Sequence, residues 1–335
     1  MRAIDLQEPA VETRALKRVF KARGGKEVVA LDGVDLTIAR GEVFGLLGPN
    51  GAGKTTCIKI LNTLLFPSSG EARIAGLDVV RDAQEIRHRI GLVSGGENSG
   101  YGILSVRECL WMFSQFYGVP NSVARERIDR LLIAVDMVEL ADARINRLST
   151  GQRQRMNFAR GFVSDPEILF LDEPTLGMDV NAARRLRDWV LVWVRERPER
   201  TVLLTTHYMA EADQMCDRVA IIDRGAVLAC DRPAELRRRV EGGQHVELEV
   251  RVREEASLQL AELAGIVLVW GAPHPEHGTH TLKFRLPDGS RLGEVLRALE
   301  ERGLSVQGLS TRETSLEDAF IAIVGHGLDE TPAAR

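Results

Sequence analysis

Short apolar runs alternate with helical patterns over residues 11–240, and this alternation predicts an α/β domain. The runs are rich in valine, isoleucine and leucine, and the segments between several of them repeat apolar residues at the helical period. We predict strands at residues 10–20, 34–38, 43–47, 71–74, 90–93, 168–171, 201–205 and 219–223.

Residues 105–140 interrupt this alternation. They contain two helical patterns, at 106–117 and 122–135, and no strand pattern. We interpret the segment as a helical subdomain, covering about residues 98–160, that is inserted into the α/β core.

A second domain is predicted after the polar, glycine-containing linker at 241–244. Alternating apolar residues at 246–252 predict a strand with one solvent-exposed face. The predicted elements that follow are a helix at 256–263, strands at 266–270 and 282–286, a helix at 292–299 and a strand at 304–309. The order β-α-β-β-α-β is typical of a small ferredoxin-like α+β domain, here at residues 244–325. Residues 1–10 and 326–335 are predicted to be tails.

Composition narrows the class of protein. At 335 residues the chain is long for one domain and sufficient for two, and its 44% hydrophobic residues can bury a large core. A net charge of -4 gives no indication of a nucleic-acid surface. Scattered cysteines fit a reducing cytoplasm, and no apolar run approaches the roughly twenty residues of a membrane span. We therefore expect any membrane role to depend on a partner.

A phosphate loop of the form G-x-x-x-x-G-K-[ST] lies between the strand at 43–47 and a helical pattern at 57–65. Its glycines let backbone N–H groups surround phosphate, and the helix N-terminus adds a positive end. Lys54 supplies a charge for the β- and γ-phosphates, and the Thr55 hydroxyl is a ligand for Mg²⁺. The predicted nucleotide-binding residues of this loop are Gly48, Pro49, Asn50, Gly51, Ala52, Gly53, Lys54, Thr55 and Thr56.

Three further side chains follow predicted strands. Asp172 ends an apolar strand where it would lie near the metal, and Glu173, facing the other way, would reach an attacking water. His207 follows the strand at 201–205, at the edge where α/β sheets bind ligands, and is a candidate contact of the γ-phosphate. Taken alone, the acidic pair also fits a solvated turn and the histidine a surface position, but the phosphate loop favours the catalytic interpretation.

With these motifs in this order, and with the run Leu-Ser-Thr-Gly-Gln at 148–152, the chain resembles the nucleotide-binding subunit of an ABC transporter over residues 15 to about 235. The resemblance implies a P-loop NTPase core that binds ATP and Mg²⁺. It also implies a homodimer or a paired ATPase subunit, in which Ser149, Gly151 and Gln152 contact the ATP held by the partner. Thr150 replaces the first glycine of the family's signature, and Asp179 matches its D-loop.

The resemblance extends to type-two drug and antibiotic export ATPases of the daunorubicin-resistance or sodium-efflux type. It implies a peripheral subunit on the cytoplasmic face of the membrane, bound to an integral membrane permease and to no nucleic acid. The loop at 97–104 lies where the family docks its permease. Tyr101 and Ile103 are candidate contacts there, although local packing is an equal explanation.

Two positions depart from the family's pattern. Phe20 stands where an adenine-stacking aromatic residue, most often tyrosine, is expected, and the alternative is an ordinary core residue. Gly95 stands where the family has a glutamine that contacts Mg²⁺ and the water, so that either Glu97 reaches back or water fills the position.

Other functions stay open at the level of sequence. An ABC-type ATPase acting on DNA would need long coiled coils, and the chain has no sustained heptads. Translation-type members usually carry two ATPase halves, and this chain has one. Two further hypotheses are an importer ATPase and a ligand-sensing role for the C-terminal domain.

The Gly95 departure generates a testable prediction. If Glu97 replaces the missing glutamine, Glu97→Ala lowers the ATP turnover number more than it lowers the affinity for ATP, because the carboxylate would act on the water rather than on the bound nucleotide. Steady-state hydrolysis and equilibrium nucleotide binding check this. Unchanged turnover and affinity would exclude Glu97 from the site.

Overall fold

The chain divides into two units, Met1–Pro233 and Ala234–Gly325, and the division falls at the start of helix Pro233–Arg239, ahead of the predicted linker. The computed structural model describes residues 8–21, 25, 27–94, 101–239, 244–252, 267–273, 279–286, 292–301, 303–312 and 314–325.

The first unit has the predicted α/β architecture. Its strands are β1 Val11–Lys21, β2 Glu27–Ile38, β3 Val43–Leu47, β4 Ser69–Ile74, β5 Leu77–Asp78, β6 Ile90–Ser94, β7 Ile168–Asp172, β8 Thr201–Thr206, β9 Arg218–Asp223 and β10 Ala226–Asp231. Its helices are α1 Lys54–Leu61, α2 Ala83–Arg87, α3 Val106–Phe116, α4 Asn121–Ala134, α5 Thr150–Phe162, α6 Val180–Arg195 and α7 Met209–Met215, and α8 Pro233–Arg239 follows at the division.

A six-stranded sheet in the order β10-β9-β3-β8-β7-β6 forms the centre of this unit, and its strands are parallel except for β10. Every residue of β3, β7 and β8 is buried, as expected for parallel strands covered on both faces. The register pairs Leu47 with Thr206 and Asp172 with Thr205. The carboxyl ends of the three strands therefore meet at one edge.

An antiparallel sheet in the order β2-β1-β4-β5 accompanies the parallel one. The predicted strand at 34–38 is only the second half of β2. In the first half, the adjacent residues Val28 and Val29 are both about half exposed, so apolar and polar residues do not alternate there. The apolar pattern does not predict strands β5 and β10, since β5 has two residues and β10 has no fully buried position that would produce a period of two.

Helices α3 and α4 lie in the predicted insertion between β6 and β7, and the patterns at 106–117 and 122–135 match their observed bounds to within one residue. Helix α3 begins at a capping box in which Ser105 and Glu108 bond to each other's backbone N–H groups. None of the helices in the described part of the chain combines the length and apolar character that a membrane crossing requires.

The second unit contains β11 Gln244–Val252, β12 Val267–Pro273, β13 Thr279–Leu286, α9 Leu292–Glu301, β14 Leu304–Arg312 and α10 Leu316–Val324. Its antiparallel sheet has the order β12-β13-β11-β14, so that each parallel pair of strands is split by a third strand, as in a ferredoxin-like fold. The alternating residues Val246, Leu248 and Val250 are buried against Val295 and Leu299 of α9. The predicted helix at 256–263 lies outside the described residues, and α10 was not predicted.

Candidate functional site

The phosphate loop has the backbone that its glycines allow. Gly51 and Gly53 have φ angles of 82° and 108°, in the left-handed region that favours glycine. A Cβ atom on Gly53 would lie 2.4 Å from the carbonyl oxygen of Ala30, whereas one on Gly51 would meet no atom within 4 Å. Helix α1 begins directly after Gly53, and its first residue is Lys54.

The charge of Lys54 is buried in the loop, since only 6% of the residue is exposed. Its Nζ donates to the carbonyl oxygens of Gly48 at 2.6 Å and Pro49 at 3.1 Å. Burial lowers the pKa of Lys54, and the nearby carboxylates of Glu173 and Asp172 oppose that effect. A buried ammonium with two neutral acceptors is a strong binding site for an anion such as phosphate.

Asp172 lies at the end of β7, and 9% of the residue is exposed. Its Oδ1 accepts hydrogen bonds from the hydroxyls of Thr205, at 2.5 Å, and Thr55, at 3.5 Å. One carboxylate and one hydroxyl at this separation fit Mg²⁺, which takes few protein oxygens and leaves its other positions to phosphate and water. Among the described residues no cluster of three or more histidine, cysteine or acidic side chains could hold a metal by itself.

Glu173 and His207 form a pair beside this carboxylate. The Oε1 of Glu173 lies 3.4 Å from the Nδ1 of His207, and both side chains are partly exposed. The backbone of Glu173 has a φ angle of 51°, which is strained for a residue with a Cβ, and its N–H donates to the carbonyl of Thr205. The ring of His207 packs against that of Tyr208 with 4.2 Å between centroids.

The residues at 149–152 have a different set of contacts. Ser149 is the N-cap of α5, where its Oγ accepts from the N–H of Gln152 while the Gln152 side chain accepts from the N–H of Ser149. Ser149 and Thr150 are exposed. Gly151 lies close to the segment after Glu173, because a Cβ added there would be 3.5 Å from the carbonyl oxygen of Gly177.

The remaining predicted site residues are Asp179, Phe20 and Glu97. Asp179 is the N-cap of α6 and accepts from the N–H of Ala182, a bond that lowers its pKa. Phe20 is 37% exposed, which disfavours the core alternative, and the Arg18 guanidinium lies over its ring at 4.6 Å. Gly95 and Glu97 lie outside the described residues.

The structure thus brings Lys54, Thr55, Asp172, Glu173 and His207 together at one sheet edge. Sequence reasoning missed two supporting residues. Thr205 had a signal, since it is one of two threonines that follow the apolar centre of β8, and its hydroxyl donates to Asp172. Gln154 had none. It is buried in α5 and donates to the carbonyl of Pro174, which ties the helix after Ser149 to the segment after Glu173.

Comparisons with known proteins identify the family. The family described as ABC transporter matches residues 31–176, and the C-terminal domain of ATP-binding protein DrrA1-3-like matches residues 232–324. The daunorubicin resistance ATP-binding protein DrrA2 of Streptomyces coeruleorubidus is 37% identical over 91% of this chain and 93% of its own length. The Nod factor export ATP-binding protein I of Ralstonia nicotianae is 34% identical over 91% of this chain and 92% of its own length.

Solved structures share the fold of the first unit. A dimeric ATP-binding cassette in a post-hydrolysis state, bound to ADP and Pi, aligns with a TM-score of 0.60 at 25% identity. The alignment covers 66% of this chain and 98% of the cassette.

Replacing the buried lysine tests the phosphate site. We expect Lys54→Ala to weaken ATP binding about tenfold to a hundredfold, because a charge-assisted hydrogen bond is lost. Titration with a fluorescent ATP analogue measures the dissociation constant. Lys59→Ala, which removes an exposed lysine from the same helix, is the matched control and leaves affinity unchanged. Equal affinities for wild type and Lys54→Ala would contradict the assignment.

The loop glycines give a second prediction. Gly53→Ala is expected to lower the free energy of unfolding by about 2–4 kcal/mol, since it adds a steric clash to a strained φ angle. Gly51→Ala adds only the strain and costs about 1 kcal/mol. Urea denaturation of both variants measures the difference. Equal losses would mean that the Ala30 carbonyl does not restrict position 53.

Proposed function

We propose, because this chain belongs to the ABC transporter family, that it binds and hydrolyses ATP to drive export of a substrate through a separate membrane permease. The observation that carries the proposal is the convergence of Lys54, Asp172, Glu173 and His207 on the edge that follows β3, β7 and β8. These groups supply a buried cation and a histidine for the phosphates, one carboxylate for the metal and one for the water.

We assign the chemical roles as follows. Lys54 binds the β- and γ-phosphates, and Glu173 orients the attacking water and accepts its proton. His207, 3.4 Å from the Glu173 carboxylate, holds the γ-phosphate. Thr55 and Asp172 are the protein ligands of Mg²⁺, which when bound neutralises charge on the phosphates. Phe20 offers an exposed ring for the adenine.

The active unit in this proposal is a dimer. Ser149, Gly151 and Gln152 of one subunit complete the ATP site of the other. The exposure of Ser149 and Thr150 supports this assignment, as does the dimeric state of the solved cassette with a similar fold. Asp179, which is also exposed, would then lie near the same interface.

An apolar surface near the helical insertion supports docking of a permease. Ile103 is 79% exposed and Tyr101 is 44% exposed. The Tyr101 ring contacts Phe113, which in turn contacts Phe116, and Phe116 lines a cavity of about 390 Å³ together with Leu64. Contiguous exposed apolar groups of this kind mark protein interfaces. Docking there would place the chain on the cytoplasmic face of the membrane.

We assign residues 11–240 to the ATPase domain, with the helical subdomain at about 98–160, and residues 244–325 to an accessory domain. The match of residues 232–324 to a DrrA-type C-terminal domain supports a separate accessory domain, and this match begins, like the second unit, ahead of the assigned boundary. Export rather than import is supported by the relatives named for drug resistance and for Nod factor export.

The catalytic carboxylate has a direct test. We expect Glu173→Gln to lower ATP turnover by about 10²–10⁴-fold while ATP binding survives, because the amide cannot accept the proton. Light scattering with ATP and Mg²⁺ is expected to show this variant trapped as a dimer. Glu139→Gln, an exposed change elsewhere, serves as control. Turnover equal to wild type would remove Glu173 from its role.

The docking surface is tested by co-purification with the permease encoded beside this chain. We expect Ile103→Asp to abolish co-purification while ATP turnover of the free subunit is retained, because a charge cannot be buried in an apolar contact. Ile133→Asp makes the same change at an exposed position of α4 and is the control. Undiminished co-purification of Ile103→Asp would exclude this surface.

A further inference from the structure

Helix α7 buries one carboxylate that the proposed reaction does not use. Glu211 is 2% exposed, and the other buried residues of the helix are Met209, Ala212 and Met215. An apolar side chain would fill the same space without the cost of removing a carboxylate from water. A buried acid at this position of the helix therefore needs a specific use.

One set of contacts of Glu211 leads to the histidine. The Thr206 side chain lies beside the Glu211 carboxylate and lowers its pKa, and the Thr206 Oγ1 accepts from the N–H of Tyr208 at 2.9 Å. His207 lies between Thr206 and Tyr208 in the chain. The carboxylate thus lies next to the hydroxyl that closes the turn carrying His207.

A second contact leads to the segment after the catalytic carboxylate. The Thr175 Oγ1 donates to Oε2 of Glu211 at 3.5 Å, and Thr175 lies two positions after Glu173. The carbonyl of Thr175 accepts from Met178, within the turn that ends at the α6 cap. One carboxylate therefore contacts both segments, the one after Glu173 and the one that carries His207.

The electrostatic surroundings agree with these contacts. Burial raises the pKa of Glu211, and the hydrogen bond from Thr206, the charge of Arg187, the bond from Thr175 and the charge of His207 oppose the rise. The two hydroxyl donors are the groups that make burial of this side chain tolerable. Loss of the acceptor would remove this shared partner from both hydroxyls.

We propose that Glu211 is a positioning residue for ATP hydrolysis, which holds Thr206 and Thr175 so that His207 and Glu173 keep their separation. The inference rests on the proposed function, since it acts through residues assigned there. It assigns to Glu211 no contact with ATP, and it therefore predicts an effect on turnover without an effect on nucleotide affinity.

The test replaces the acceptor without opening a cavity. Glu211→Met fills the volume but accepts hydrogen bonds only weakly, whereas Glu211→Gln keeps one acceptor oxygen. We expect Glu211→Met to lower kcat by about tenfold to a hundredfold, because small misplacements of reacting groups have effects of this size. The dissociation constant for ATP is expected to stay within about twofold of wild type, and Glu211→Gln is expected to recover most of the lost turnover.

A double-mutant cycle separates positioning from general stability. Thr206→Val and Thr175→Val each remove one donor at nearly constant volume. If Glu211 acts through Thr206, the double variant Glu211→Met, Thr206→Val is no slower than the slower single variant. Gln214→Ala changes an exposed polar side chain of the same helix and serves as control, and melting temperatures are recorded for every variant.

The outcomes distinguish the two proposals. A wild-type chain without ATP turnover would overturn the proposed function and this inference with it. Normal wild-type turnover combined with an unchanged kcat in Glu211→Met would overturn only the role of Glu211. The same conclusion would follow if kcat and ATP affinity fell together, or if the effects of Glu211→Met and Thr206→Val multiplied.

Discussion

The burial of one positive charge at the end of the central parallel sheet is the constraint on which this site depends. An ammonium group removed from water is costly unless other groups replace its hydration. The Nζ of Lys54 donates hydrogen bonds to two loop carbonyls, and two nearby carboxylates stabilise its charge. The loop can offer those carbonyls only because Gly51 and Gly53 adopt left-handed backbone angles. The register of β7 against β8 then brings the carboxylates to the same edge.

The segment that follows β7 links this edge to the rest of the first unit. Its first residue, Glu173, donates its N–H to the strand that carries the histidine. Its second, Pro174, accepts from Gln154 of the helix behind Ser149, and Asp179 at its far end caps α6. A displacement of this segment would therefore move Glu173 and helix α5 together. In the proposed dimer, that connection would couple the carboxylate assigned to hydrolysis to the helix assigned to subunit contact.

The two units bury their apolar side chains in different ways. In the first, a mainly parallel sheet is buried on both faces, and every residue of its central strands is buried. In the second, β11 alternates buried and less buried positions, and α9 packs against the buried ones. This difference explains why apolar runs predict the first set of strands and alternation predicts the second.

Local sequence determined the phosphate loop, the central strands and the five side chains that meet at the site, because each depends on a motif or a period within a few residues. It also determined the α/β class and the helical insertion.

Tertiary structure decided what local patterns do not encode. The exposed start of β2 is held as a strand by pairing with β1, and Phe20 is exposed rather than part of the core. Thr205 and Gln154 acquire their roles from partners 33 and 20 residues away, and Glu211 contacts Thr175, which is 36 residues away. Such contacts leave no periodic signal in the chain, because the partner of a buried polar group is chosen by the fold rather than by its neighbours in sequence.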